Sequence, residues 1–169
     1  MKKIKKRSRG RNTFVGNSGE HFVMAELLKQ GIIAALAPRN SHDFDVLATD
    51  GKRSVNIRVK TKSIPSVVWQ FTAKKNGNIY ENIARGKDFV CLVDLKEVYD
   101  NPDYYIVPTQ KINNAVKNDF NRWLLKPDRH GKKHDKTKTH RIFGQEEYHQ
   151  QMLGKIKGNW SILKLKSFR

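Results

Sequence analysis

The sequence is poor in cysteine, in acidic side chains and in long apolar runs. Cys91 is the only cysteine among 169 residues. A single cysteine excludes a disulfide scaffold and a zinc site built on paired cysteines, and it fits a reducing compartment, so we expect a cytoplasmic protein. No apolar run approaches the roughly 18 residues that a membrane-spanning helix needs, so we expect no membrane partner.

The shortage of acids leaves a large positive charge. Lys and Arg number 34 against 16 Asp and Glu, a formal net charge of +18. Seven of the cations lie in the first eleven residues, but residues 12–169 still carry +11. Charge of one sign at this density opposes a compact state unless an anion compensates it, so nucleic acid is the expected partner.

The length fits one domain of ordinary size. Residues 1–13 have the composition of a disordered basic arm, and residues 14–169 are expected to form a single domain. Within it we expect a core over about 14–125, a basic loop rich in His and Lys over 126–141, and a C-terminal helix and tail over 142–169.

The order of helix and strand signals predicts an α/β fold with a central mixed sheet flanked by helices. A helix is expected over about 18–30, from the small residue Ser18 to Gly31. A second helix is expected from Thr109 to about Asp119, and a last one over 145–153. Strands are expected over 32–37, 43–48, 54–62, 67–73, 89–95 and 104–107, with a strand or tail at 160–165.

Glu20 lies on the apolar face of the first predicted helix, because Val23, Met24, Leu27 and Leu28 follow it at i+3, i+4, i+7 and i+8. A carboxylate that faces a core needs a partner. It could lie at the rim, bonded to first-turn amides, or it could pair with a basic side chain of the sheet.

A predicted hairpin brings acids beside bases. Strict alternation over 54–62 sets Arg58, Lys60 and Lys62 on the face opposite to that of the valines and isoleucine. Asp43 and Asp45 share a face of the preceding strand, so Asp45 can lie beside Arg58 or Lys60. A cross-strand salt bridge on a solvated face accounts for this pattern equally well.

These segments, taken together, resemble the core of the PD-(D/E)xK nuclease superfamily. The resemblance is carried by Gly19-Glu20 in the first helix, by Asp43-Phe44-Asp45-Val46-Leu47-Ala48 and by Ile57-Arg58-Val59-Lys60-Thr61. More narrowly, the chain is similar to small restriction-enzyme-like and Holliday-junction-resolvase-like members. The resemblance covers about residues 14–125 and implies a restriction-endonuclease-like αβββαβ core that hydrolyses phosphodiester bonds in DNA.

The resemblance also implies roles for individual residues. Asp45 would be the principal ligand of Mg²⁺ or Mn²⁺, with the Val59 carbonyl as a second ligand and Glu20 as a direct or water-mediated third. Lys60 would position the attacking water or stabilise the phosphorane. Asp43 would supplement these ligands only if its strand were bulged.

Arg58 departs from the family pattern, which has Glu, Asp or Gln two residues before the lysine. A guanidinium is a permanent cation without a lone pair, so it cannot bind a metal ion. Either Arg58 contacts the scissile phosphate and leaves Asp45 and Glu20 to hold one ion, or it pairs with one of those carboxylates and the protein binds DNA without cleaving it.

The remaining cations are candidates for phosphate contacts. The expected set consists of Arg58, Lys62, Lys132, Lys133, Lys136 and Lys138. The sequence therefore favours a magnesium-dependent endodeoxyribonuclease. A catalytically inactive DNA-binding protein of the same fold and a basic RNA-binding protein are the alternatives, and a homodimer is left open.

Overall fold

The computed structural model describes residues 10–38, 41, 43–80 and 86–168. In chain order its elements are α1 (Arg11–Lys29), β1 (Ile33–Leu36), β2 (Val46–Thr49), β3 (Ser54–Lys62), β4 (Trp69–Thr72), β5 (Asp88–Asp94), β6 (Asp103–Pro108), α2 (Thr109–Leu125), β7 (His140–Phe143), α3 (Glu147–Ile156) and a short 3-10 helix at Trp160–Leu163.

Five strands form a central sheet in the order β1-β2-β3-β5-β6. The β3–β5 pair is parallel and the other pairs are antiparallel, which confirms the expected α/β class with a mixed sheet. Every residue of β5 from Phe89 to Val93 is buried. A central strand that is covered on both faces explains why this segment is a continuous apolar run rather than an alternating one.

Two hydrophobic clusters cover the two faces of the sheet. On one face, Val23 and Leu27 of α1 pack against Val55, Ile57 and Val59 of β3. The opposite face is covered by α2, α3 and a second, two-stranded sheet made of β4 and β7. Arg58, Lys60 and Lys62 alternate with the three apolar residues of β3, so they lie on this opposite face, as predicted.

The first helix is longer than its sequence signals indicated. It begins at Arg11 rather than Ser18, so the end of the predicted disordered arm is helical, while residues 1–9 lie outside the described part. Ser18 is not a cap, because its hydroxyl donates to the Phe14 carbonyl inside the helix. The predicted stop at Gly31 is confirmed by its positive φ of 75°, which glycine adopts without strain.

Other differences arise where local signals were weak. β2 begins at Val46, so Asp43 and Asp45 precede the strand rather than belong to it. The second helix continues to Leu125, β7 falls where the end of the loop was expected, and Trp160–Leu163 is a 3-10 helix. In the described part of the connection from β3 to β5, β4 stands where the αβββαβ order has a helix.

No helix in the described ranges is long and apolar enough to cross a membrane. Trp69 and Cys91 are core residues, with exposed fractions of 3% and 0%.

Candidate active site at the diverging ends of β2 and β3

Asp45 occupies the point at which β2 separates from β3. Its backbone N–H donates to the Ile57 carbonyl at 3.0 Å, and its carboxylate Oδ2 accepts the Val59 N–H at 2.7 Å. The Asp45 side chain thus accepts the Val59 N–H in place of the backbone carbonyl that a longer β2 would have provided. This bond fixes the carboxylate against β3, next to the last pair of the β2–β3 ladder, Val46 with Ile57.

Glu20 reaches the same region from α1 because the helix lies unusually close to β3. A Cβ added to Gly19 would lie 1.9 Å from the Thr61 hydroxyl oxygen, a distance that no side chain tolerates. Glycine at this position therefore lets the helix approach β3. The residue that follows it, Glu20, is half-buried beside the sheet.

The pKa of Glu20 is raised above 4.5, first by burial and then by the negative charge of Asp45. The pKa of Lys60 is lowered below 10.5, chiefly by burial, while Asp45 works against this shift and Arg58 adds to it. Asp45 thus acts on both groups. Glu20 reaches Asp45 from α1, and Lys60 lies on the face of β3 opposite to the one on which α1 packs.

Neither Glu20 nor Lys60 has a hydrogen-bond or ion-pair partner within the described ranges. The Lys60 Nζ lies 5.9 Å from the centroid of the Phe71 ring of β4. Buried or half-buried charges are normally compensated. Glu20 and Lys60 are two charges without such compensation, next to the fixed Asp45. This arrangement is typical of a functional site rather than of a structural ion pair.

Arg58 is directed to other groups. Its guanidinium lies 3.9 Å from an oxygen of Asp43 and 4.3 Å from the centroid of the Tyr80 ring. Arg58 thus forms an ion pair with Asp43. The half-exposed Asp43 neutralises Arg58. This differs from the role of supplementary metal ligand that the resemblance implied for Asp43.

Tyr80 lies beside Arg58, and no pattern in the sequence predicted that it would. Burial raises its pKa, and its hydroxyl is buried without a hydrogen-bond partner among the described residues. Its ring forms one wall beneath Arg58, packed edge-on against Phe71. Only the approach of the segment after β4 to β3 places it there, and no local pattern encodes that approach.

The predicted phosphate contacts divide into two groups. Lys62 forms an ion pair with Asp94 at 2.7 Å and lies over the Trp69 ring, so its charge is already compensated. The lysines of the loop before β7 (Lys132, Lys133, Lys136 and Lys138) are exposed. Because β7 pairs with β4, this loop lies on the same side of the central sheet as Lys60.

The oxygen donors near Asp45 suit one hard cation. No group of three or more His, Cys, Asp and Glu side chains in the described ranges is placed to hold a metal ion. Two carboxylates are present, those of Asp45 and Glu20. The Val59 carbonyl points to the same side of β3 as the Val59 N–H, where β2 has already ended, so it has no backbone partner from β2. Two acids and one carbonyl fit Mg²⁺ that keeps several waters.

No protein-family model matches the chain, and no curated protein matches it. Among solved structures, Hjc, a Holliday junction resolvase from Archaeoglobus fulgidus, superposes with a TM-score of 0.44 at 15% identity, covering 77% of this chain and 84% of that one. A bacterial homing endonuclease, I-Ssp6803I, superposes with a TM-score of 0.49 at 10% identity, covering 90% and 92%. At these identities each similarity is one of fold alone.

Proposed function

We propose that this protein is a magnesium-dependent endonuclease of the PD-(D/E)xK type that hydrolyses phosphodiester bonds in DNA. The observation that carries the proposal is the grouping of Glu20, Asp45 and Lys60. Asp45 is fixed by a backbone amide, and its charge acts on two buried or half-buried groups that have no hydrogen-bond or ion-pair partner of their own among the described residues. The net charge of +18 supports a polyanionic substrate.

In the proposed mechanism, Asp45, Glu20 and the Val59 carbonyl hold the cation, which when bound neutralises charge on the phosphate and lowers the pKa of water. Lys60, on the same face of β3 as Arg58, donates a hydrogen bond to the attacking water or to the phosphorane. Burial beside Arg58 lowers the pKa of Lys60, so its proton is less costly to displace toward an oxyanion.

Arg58 takes the phosphate-binding role in this proposal. Its pairing with Asp43 leaves Asp45 and Glu20 to the cation, and the Tyr80 ring supports the flat guanidinium from one side. Guanidinium groups bind phosphate through charge-assisted hydrogen bonds. Arg58→Gln is then expected to weaken cleavage, although it would restore the residue type of the family.

The second candidate is a DNA-binding protein of the same fold that does not cleave. It is favoured by the lack of a three-acid cluster in the described ranges. A gain of cleavage in Arg58→Glu or Arg58→Gln would support it, because a restored oxygen donor would then complete a deficient metal site.

The test is plasmid nicking at low salt with Mg²⁺, Mn²⁺ or chelator. Asp45→Ala and Lys60→Ala should each lower the rate by at least about 100-fold, because each removes a group that acts on the transition state. DNA affinity in chelator should change less than about threefold, since most phosphate contacts are made elsewhere.

Matched controls are Asp100→Ala and Lys52→Ala, an exposed acid and an exposed cation away from the site. Both should nick at the wild-type rate. Cleavage that persists in Asp45→Ala and Lys60→Ala would refute the site, and wild-type protein that binds DNA without nicking it under any metal would favour the second candidate.

A further inference from the structure

A cavity of about 480 Å³ lies between α2, β7 and α3, apart from the Asp45 site. Three aromatic side chains line it: Phe120 and Trp123 come from α2 and Tyr148 from α3. Four cations also line it, namely Arg122, Lys126, Lys138 and Arg141, against the two acids Asp119 and Glu146.

The two acids are already engaged in holding the protein together. The Asp119 carboxylate bonds to the ring of His149, and the Glu146 carboxylate accepts the His149 backbone N–H as part of a capping box. Asp119 also lies 3.9 Å from Arg122, so the two acids offset only part of the charge of the four cations. The cavity presents an excess of positive charge beside aromatic rings.

Two donors in the cavity have no partner. Arg141 is only 7% exposed, and its Nε lacks a hydrogen-bond partner among the described residues, as does the buried hydroxyl of Tyr148. The rest of the Arg141 guanidinium donates to the carbonyls of Lys138 and His140, which fixes its plane over the Phe120 ring at 3.2 Å. A buried donor without an acceptor is costly, and both donors belong to side chains that line the cavity.

The aromatic walls are held in position by neighbours. The imidazole of His134, which does not line the cavity, stacks on Trp123 with ring centroids 3.8 Å apart and planes 11° from parallel. Phe120 stacks on the same indole at 5.3 Å. Rigid flat surfaces with cations beside them match a ligand that has a planar ring and an anionic group.

We propose that this cavity binds an unpaired nucleotide of DNA, with the base against the aromatic walls and the phosphate on the cations near Arg141. The inference builds on the proposed DNA partner but does not depend on cleavage. The cavity lies on the same side of the central sheet as Lys60, because Arg141 of β7 pairs with Phe71 of β4, whose ring lies 5.9 Å from the Lys60 Nζ.

The test is fluorescence anisotropy in chelator with a short labelled oligothymidylate and an abasic oligomer that has the same number of phosphates. Wild-type protein should bind oligothymidylate about tenfold more tightly, since stacking of one base contributes on that scale. In Trp123→Leu this ratio should fall toward one while the affinity for the abasic oligomer changes less than about twofold.

Two further variants keep the test decisive if Trp123→Leu does not fold. Tyr148→Phe retains the ring and removes only the unpartnered hydroxyl, so it should lower oligothymidylate affinity by about three- to tenfold. Lys138→Gln and Lys136→Gln remove equal charge from one loop, but only Lys138 lines the cavity, so Lys138→Gln should lose more affinity.

Equal affinity of wild-type protein for the two oligomers would overturn the proposal and leave charge as the only source of binding. Tighter binding of oligouridylate than of oligothymidylate would overturn it in favour of RNA, and tighter binding of duplex would exclude an unpaired nucleotide. Asp45→Ala should retain the base-dependent ratio, so loss of cleavage and loss of this site are separable.

Discussion

Asp45 and Asp119 differ in whether the polar groups around them have hydrogen-bond partners. At Asp119, the imidazole of His149 uses both nitrogens: Nδ1 accepts the backbone N–H of Gly144 at 3.1 Å and of Glu146 at 3.3 Å, and Nε2 meets Asp119. An imidazole that accepts at Nδ1 must carry its proton at Nε2, so His149 is neutral and donates to Asp119.

At Asp45 the neighbouring groups are not satisfied in this way. Glu20 and Lys60 have shifted pKa values and lack hydrogen-bond or ion-pair partners among the described residues. The Asp119–His149 pair has the composition of a catalytic dyad, but every polar atom of the imidazole is already bonded. Unmet bonding capacity, rather than residue type, is therefore what distinguishes the Asp45 region as the candidate site from the structural Asp119–His149 pair.

The largest expected effect separates the two sites by activity. Glu20→Gln removes a cation-binding carboxylate and should lower metal-dependent nicking at least about 100-fold, whereas Asp119→Asn should leave it within about twofold. Nicking rates at matched protein concentration measure both. Loss of nicking in folded Asp119→Asn would show that the second pair takes part in the chemistry.

The next effect concerns how Glu20 is placed. Gly19→Ala sets a methyl group against Thr61, so α1 must move and the free energy of unfolding should fall by about 1–3 kcal/mol. Nicking should fall with it, because Glu20 moves away. Urea denaturation gives the first value.

Gly16→Ala is the control on the same helix, where an added Cβ meets nothing within 4 Å. It should be neutral or stabilising by up to about 1 kcal/mol, since alanine favours helix. Partial rescue of Gly19→Ala by Thr61→Ala would confirm the steric cause, and equal stability of the two alanine variants would contradict the close approach.

The smallest effect is the pH dependence of stability at the structural pair. The pKa of His149 is lowered below 6.5, chiefly by burial, so the unfolded chain binds this proton first as the pH falls. His149 thus contributes a stability that is present above pH 6.5 and is lost below it, by at most about 1.4 kcal/mol per pH unit. Burial raises the pKa of Asp119, so this carboxyl group favours the folded state as the pH falls. It does so over the lower pH range in which aspartate titrates.

Urea denaturation of wild type and His149→Gln from pH 7.5 to 5.5 measures this slope. The variant should show a shallower dependence, even if it is less stable throughout. An identical slope in both proteins would show that His149 takes up its proton in the folded state as readily as in the unfolded chain.

Local patterns were enough to predict much of the fold. Alternation over 54–62 correctly assigned the two faces of β3, and the apolar run at 89–95 correctly predicted a strand there. Gly31 correctly ended α1. The start of that helix was not predicted, because residues 11–17 carry few apolar side chains and its real beginning has no side-chain cap.

The sequence alone determined the positive charge, the α/β class and the identity of Glu20, Asp45 and Lys60 as the candidate residues. Tertiary structure decided that Arg58 pairs with Asp43, that Tyr80 lies beneath it, and that the aromatic cavity exists at all. Periodicity is a property of neighbouring residues and can be read along the chain. The cavity depends on the pairing of β4 with β7, which are about 70 residues apart, and no local preference specifies such a contact.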